Sequence, residues 1–440
     1  MSLRLILLIT TLCHIKNAAN SPKTIRNHAE LKAIIKMTSI LFYVTIYYIR
    51  RIMAEIKENA IMNYLTVDIY HDFECVASAC PNTCCAGWDI TIDTETCKKM
   101  KEKEELLGMP AQDWLEDKDG TVTAKLKHNR CCMLNENNLC QVVLKLGPEY
   151  LSDTCRQYPR IIKQYGDIFE GSLTISCPEV LVRLMEKKCV QFDFSEDNTH
   201  TPSYPHYNLY LYESKVRTCI IDILQNNPDI ALTTKLFVSF QILDKAISLY
   251  QKNETSFDVL NQDIDHYSQR NYLLPLNAQL HNIVKETNRH RFLRQFLNVV
   301  PKSHDDHFNK LVIQTISYFD DSNMETYLTD LHLFHSFTRT YDTFYTNYWI
   351  YRIFSEMITI PDYEKAKDNL LCIAAEFCLF QTFALAAYAR QKLDKEEYIY
   401  IISYIARMIK HNTHLSANLI TRLRENDSIS AAGLLTLILV

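Results

Sequence analysis

The stretch Asp72–Trp88, DFECVASACPNTCCAGW, packs four cysteines into eleven residues, two of them adjacent, and follows them with a glycine and a tryptophan. A chain of 440 residues is long enough for two or three domains and for a core that needs no covalent staples, so size does not explain the thiols. Of fifteen cysteines, eleven fall between Cys75 and Cys189, and the others are Cys13, Cys219, Cys372 and Cys378. Burial of cysteine as a small hydrophobe gives an even scatter. A cluster marks a site.

In order, the pattern is Cys75-x4-Cys80-x3-Cys84-Cys85, then Cys131-Cys132, Cys140, Cys155 and Cys177. Close-set cysteines followed by distant single ones fit a metal site closed by the fold, whereas disulfides between such near neighbours are geometrically awkward. Adjacent residues in extended chain point to opposite sides. One of Cys84 and Cys85 is therefore expected to face a second site or the core, and the same holds for Cys131 and Cys132. Zinc favours balanced C-x2-4-C knuckles. Uneven thiolate-only spacing, with Cys-Pro steps at Cys80-Pro81 and Cys177-Pro178, favours an iron–sulfur cluster, with zinc as the alternative. The spacing is not the C-x3-C-x2-C of conventional radical enzymes that use S-adenosylmethionine. Arg156, Tyr158 and Arg160 flank Cys155, and the two guanidinium groups are candidates to offset thiolate charge or bind a carboxylate; the alternative is ordinary ion pairs on a solvated face.

Net charge is −5 with a pI near 6.3 and the charges are interspersed, which argues against a nucleic-acid partner. The seven glycines make no G-x-G-x-x-G or Walker-type loop, which argues against a Rossmann cradle. From about Tyr207 the chain reads as amphipathic helices. Val216, Ile220, Ile223 and Leu224 recur at helical spacing, as do Leu236, Phe240, Leu243 and Ile247, with Pro228, Pro275, Pro301 and Pro361 as expected helix boundaries. The aromatic run Tyr341–Phe354 reads as a buried stripe or, alternatively, a peptide groove. The pairs His304/His307, His332/His335 and His411/His414 would each share a face on a helix and are assigned no metal. The expected fold is mainly α: a small cysteine-rich, metal-binding N-terminal domain with few short strands over 62–200, then a helical domain over 201–440.

Residues 1–61 form an extra N-terminal segment. MSLRLILLITTLCHIKNA is signal-like, and Met37–Ile49 is a second apolar run. Each is shorter than the ~20 residues that span a bilayer. The readings are a signal peptide with an interfacial anchor, a membrane hairpin, or sequence upstream of a later start at Met53 or Met62.

The combination DFECVASACPNTCCAGWDITID, CCMLNENNLCQVVLKLGPEYLSDTCRQYPR and SLTISCPE resembles the flagellin lysine-N-methylase family, known as FliB, and the likeness continues through Ser214–Asn227 and IARMIKHN, covering about residues 62–420. The resemblance implies a bacterial cytoplasmic enzyme that moves a methyl group from S-adenosylmethionine to surface lysines of flagellin, with a four-iron, four-sulfur (4Fe-4S) cluster. It marks Cys75, Cys80, Cys84, Cys85, Cys131, Cys140, Cys155 and Cys177 as the family-type metal cysteines, with Cys97, Cys132 and Cys189 extra. Family members commonly carry proline where Cys132 stands, and residues 1–61 lie outside the resemblance, which makes a membrane role unlike the family.

Methylating lysine needs a neutral amine, yet lysine's ordinary pKa is ~10.4. The site must desolvate the target or set a base beside it. No residue of the sequence is marked as that base. A non-enzymatic alternative is a zinc-stapled interaction module.

Overall fold

The computed structural model describes residues 62–436 except 119, 167, 198–205, 254–255, 284–285, 304, 360–361, 364, 392 and 426–430. The signal-like and apolar runs within 1–61, and the boundary expected near residue 200, lie outside the described residues. From Asn63 to Ser195 and from His206 onward the described chain belongs to one compact unit.

The strands are β1 (Met62–Val67), β2 (Leu115–Lys118), β3 (Thr121–Ala124), β4 (Leu126–Lys127), β5 (Arg130–Cys131), β6 (Arg160–Tyr165), β7 (Ile168–Leu173) and β8 (Phe192–Asp197). Four of them form a sheet in the order β6-β7-β1-β8, in which β6 and β7 are antiparallel and β1 runs parallel to β7, Asn63 opposite Ile168 and Thr66 opposite Gly171. Parallel strands deliver the chain to the same edge of a sheet. The segments that follow β1 and β7, one leading to Cys75–Cys84 and the other to Cys177, therefore start side by side. Gly171 keeps the two strands close: a Cβ there would lie 2.8 Å from Thr66 Cγ2 and 3.1 Å from the Tyr70 ring.

Between β1 and β6 the chain builds a small core of its own from Ile90, Ile92, Met100, Leu107, Trp114, Met133 and Val142. Its helix Thr94–Lys101 is capped by Asp93, whose carboxylate accepts the Thr96 N–H at 2.8 Å and the Asp153 N–H at 3.0 Å, so one side chain starts a helix and ties down a distant turn. The hairpins β2–β3 and β4–β5 complete this lobe.

The rest is helical, as the apolar spacing predicts. Val216, Ile220, Ile223 and Leu224 are buried on Tyr207–Asn226, and Leu236, Phe240, Leu243 and Ile247 on Leu232–Gln251. Lys365–Ala389 is apolar on all sides because all sides are packed, against Asp306–Asp321, Met324–Thr338, Asp342–Glu356 and Lys395–Lys410 among others. By length and hydropathy this helix could cross a membrane, but 89% of its apolar window is buried within the protein. The aromatic run is core and not a groove: Phe344, Tyr345, Tyr348, Trp349, Tyr351 and Phe354 are all buried. Pro275 is not a boundary either. It lies inside Arg270–Ile283 on an exposed face, where water can solvate the Asn271 carbonyl that its missing N–H leaves free.

Candidate metal centre

Every described cysteine, from Cys75 to Cys378, is a free thiol. Cys84 and Cys85 lie in a turn, not in extended chain, and this overturns the expected opposition of their side chains: the sulfurs lie 3.9 Å apart. The hydrogen bond between them lowers one thiol, Cys85, to about 7 and raises the other well above its ordinary value. Their further neighbours nonetheless differ. Cys84 feels the Cys177 thiol, and Cys177 is pushed up to about 12, first by burial and in smaller part by Cys80 and Cys75. Cys85 instead acts on Cys131, Cys140 and Cys155.

Packing repeats that division. Cys177 belongs to the large core, at the start of the Pro178–Glu186 helix. Cys131 is buried in the small core with Cys85, Cys140 and Cys155 packed against it. The Cys131 N–H donates to the Cys85 carbonyl at 2.7 Å, and a strand-like bridge joins Leu134 to Cys140. Of the extra cysteines, Cys97 is buried in the small core, Cys132 lies there beside Cys131, and Cys189 accepts the Gln225 amide at 3.4 Å. Among the described residues no group of three or more His, Cys, Asp or Glu side chains is drawn together tightly enough to ligate a single metal ion.

Arg407 is the residue at this site that the sequence did not announce. It sits on the last turn of Lys395–Lys410, only 2% exposed, and its guanidinium enters the cysteine loop. Nη1 donates to Asn82 Oδ1 at 3.1 Å and to the carbonyls of Thr83 and Ala86 at 2.9 and 3.1 Å; Nη2 donates to the carbonyls of Asn82 and Ser176, both at 3.3 Å. Its Nε is buried without a partner, and no ion pair joins Arg407 to a carboxylate among the described residues. Arg407 thus braces the turn that holds the adjacent thiols while leaving its charge uncancelled; that charge offsets part of the rise that burial gives Cys80 and that the Cys85 hydrogen bond and burial give Cys84, and it adds to the lowering that the Cys84 hydrogen bond gives Cys85. Gly87 follows the turn at φ +83°, the left-handed region open to glycine, with Arg407 Cδ 3.7 Å from where its Cβ would stand.

The arginines that flank Cys155 do not take this role. Arg156 is exposed and paired with Asp153, and Arg160 donates to the Phe73 carbonyl at 3.0 Å while lying over the Tyr70 and Phe73 rings. Tyr158 does face the site. Its hydroxyl meets Ser176 Oγ at 3.2 Å, and Ser176 Oγ meets His411 Nε2 at 2.9 Å. His411 caps the C-terminus of its helix while His414 belongs to the next, Thr413–Glu425, so the two do not share one helix face. Its ring lies 4.6 Å from that of Trp88, whose Nε1 donates to the Cys84 carbonyl at 2.6 Å. Burial, with Lys410 and Arg407 close by, lowers His411 to about 4, so it is neutral at pH 7. A half-buried wall of Trp88, Tyr158 and His411 thus stands against the thiols.

Residues 217–437 match the FliB lysine N-methylase C-terminal domain. The chain is 22% identical over 388 residues to the lysine-N-methylases of Salmonella choleraesuis and Salmonella typhimurium, spanning 83% of this chain and 96% of each relative. It is 37% identical over 120 residues to the flagellar biosynthetic protein FliU of Salmonella muenchen, 26% of this chain and 71% of that protein. No solved structure matches it. The match covers half of the chain and contains Arg407, the cation of the cysteine loop: the protein belongs to the FliB lysine N-methylase family.

Proposed function

We propose that the protein is a lysine N-methyltransferase that takes its methyl group from S-adenosylmethionine, acts on lysines at the surface of flagellin or a similar protein, and holds an iron–sulfur cluster on its cysteines. Family membership supports the activity. The observation that carries the cluster is Arg407: a buried guanidinium is costly to leave uncompensated, and here it meets only neutral acceptors beside a set of thiols. A thiolate-ligated group of net negative charge is the natural complement.

The donor type suits such a group, since the residues are thiols, although no three of the described side chains converge on a single ion. When bound, the cluster supplies open iron coordination to which the donor's amino and carboxylate groups can attach. The chain's own residues supply the rest. Trp88 and Tyr158 present ring faces to a cationic sulfonium or ammonium, and neutral His411 adds no charge to repel it. Partial burial there favours the neutral form of an entering lysine. In this reading methyl transfer takes place in the cytoplasm, before the substrate is exported.

The test is to incubate the anaerobically purified full chain with S-adenosylmethionine and flagellin monomers and read intact mass. Increments of one methyl group that map to lysines are expected. A metal-loaded, folded protein that leaves flagellin and total cell protein unmethylated would overturn the assignment.

A further inference from the structure

We propose that Cys84 and Cys85 form a reversible redox site, in which a peroxide joins the two sulfurs in a disulfide between neighbouring residues and a small-molecule thiol reopens it. The inference stands on the geometry of the free thiols and does not require the metal reading above. Where metal is held there, the site becomes a switch upon it, because the thiolate is the ligand and a disulfide offers none.

Three observations carry it. The first is distance: the two sulfurs lie 3.9 Å apart and share a hydrogen bond, both as free thiols. In extended chain the side chains of neighbours point apart, so it is the turn that brings these together. The second is how that turn is fixed. The Cys84 carbonyl accepts Trp88 Nε1 at 2.6 Å, the Cys85 carbonyl accepts the Cys131 N–H at 2.7 Å, and the Cys85 N–H donates to Thr83 Oγ1 at 3.2 Å. On either side of the pair, Arg407 Nη1 holds the carbonyls of Thr83 and Ala86. The main chain is pinned while the two thiols are left to each other. The third is access. Both thiols are half-buried, open enough for a molecule as small as a peroxide. The other adjacent pair, Cys131 and Cys132, is only 9% exposed at each residue, and Cys132 Sγ faces the Trp114 carbonyl at 3.9 Å. Cys75 and Cys80 are also open, but their sulfurs bond the Ala77 N–H and the Asn82 carbonyl, each at 3.4 Å.

In the reaction one thiolate of the pair attacks a peroxide oxygen and the O–O bond breaks; its sulfur becomes a sulfenic acid, and the other oxygen leaves as hydroxide, which takes a proton to give water. The second thiol then attacks the sulfenic sulfur and loses its proton as the S–O bond breaks and a second water departs. Two thiols have lost two electrons and two protons, the peroxide has gained them, and one S–S bond has formed. Neighbouring residues keep their Cα atoms about 3.8 Å apart, closer than the ~4.4–6.8 Å of ordinary disulfides. A bond so constrained is easily reduced. It also stops either sulfur from climbing to the irreversible sulfinic and sulfonic acids. The pair is therefore built to be reopened, and not to staple the fold.

The experiment takes the full chain, purified under reducing conditions and freed of metal by a chelator, and exposes it to hydrogen peroxide in slight excess. Remaining thiols are blocked with N-ethylmaleimide in denaturant, and the chymotryptic peptide Glu74–Trp88 is fragmented in a mass spectrometer. The expected product carries the label at Cys75 and Cys80, none at Cys84 and Cys85, and is lighter by two hydrogens; glutathione returns both thiols. Cys84→Ser and Cys85→Ser each abolish the bridge, and the thiol that remains goes on to sulfinic acid. A bridge from Cys84 or Cys85 to any other cysteine would overturn the inference. So would sulfinic acid at the pair of the unsubstituted chain without a bridge, or a bridge that glutathione does not reopen. These readings need only the unsubstituted chain, so they decide even where a variant fails to fold. A parallel sample loaded with iron and sulfide separates this proposal from the metal reading: slower bridging supports a switch on bound metal, whereas an unchanged rate keeps the redox site and counts against metal at these two thiols. Methyl transfer is not read here, so the methylase assignment and the redox site can fail independently.

Discussion

Arg217 and Arg407 are buried almost equally, 3% and 2% exposed, yet are solvated in opposite ways. Arg217 grips Glu170 with two nitrogens at 2.5 and 2.6 Å, and its charge is cancelled within the helical core. Arg407 bonds carbonyls and one amide oxygen, which satisfy its N–H groups but not its charge. A pair closed on itself serves the fold. A buried cation without an anion prepares a site for one.

The largest effect should come from opening the closed pair. Arg217→Leu leaves Glu170, 3% exposed, buried without its cation, and is expected to cost about 3–5 kcal/mol in urea unfolding, most of it recovered in Arg217→Leu/Glu170→Leu. A simple sum of two losses in the double variant would mean that the pair is not coupled. Arg407→Gln should cost about 2–3 kcal/mol, through carbonyls left unsatisfied. The sharper readout is the response to metal, which should stabilise the unsubstituted protein and the Arg217 variant alike but the Arg407 variant much less. Equal stabilisation of all three would end the comparison.

Glu213 sharpens it from another side. It shares a helix with Arg217, but Arg217 is committed to Glu170, and burial raises the Glu213 carboxyl to about 7. The unfolded chain loses this proton near pH 4.5 and the folded chain holds it to about 7. Stability should therefore fall across that window by an amount on the order of 3 kcal/mol. Glu213→Gln should remove this slope, since an amide does not titrate in this range. An unchanged slope in denaturation midpoints between pH 4.5 and 7.5 would show that another group titrates. The smallest effect is expected from Arg156→Ala, an exposed residue paired with Asp153, which should shift stability by no more than about 0.5 kcal/mol and leave any metal uptake unchanged.

How far the chain could be read from its residues follows the range of the interactions involved. Apolar spacing is local, and the helices through Val216 and Leu236 appeared where it put them. The cysteine motif is local too, so its members were legible, but their grouping was not. The extended-chain geometry assumed for Cys84 and Cys85 fails in a turn whose form depends on Arg407, 325 residues from Asn82. Nearby Arg156 and Arg160 drew the reading because they flank a cysteine, yet one faces water and the other a carbonyl and two rings. A signal for Arg407 did exist: it stands between Ile405, Ala406, Met408 and Ile409, all buried, where an ordinary surface arginine would not be.

The grip of Arg407 on the cysteine loop also has a consequence for how the protein is made. The thiols of Cys75–Cys85 belong to the first quarter of the chain, and the cation that braces them is added near the end. At 5–20 residues per second, a ribosome takes roughly 15–65 s to cover the distance between Asn82 and Arg407. Throughout that interval the nascent loop lacks its brace, so the cysteine turn reaches its final form only after Arg407 has been made, and a truncated product would advertise itself by uncovered thiols.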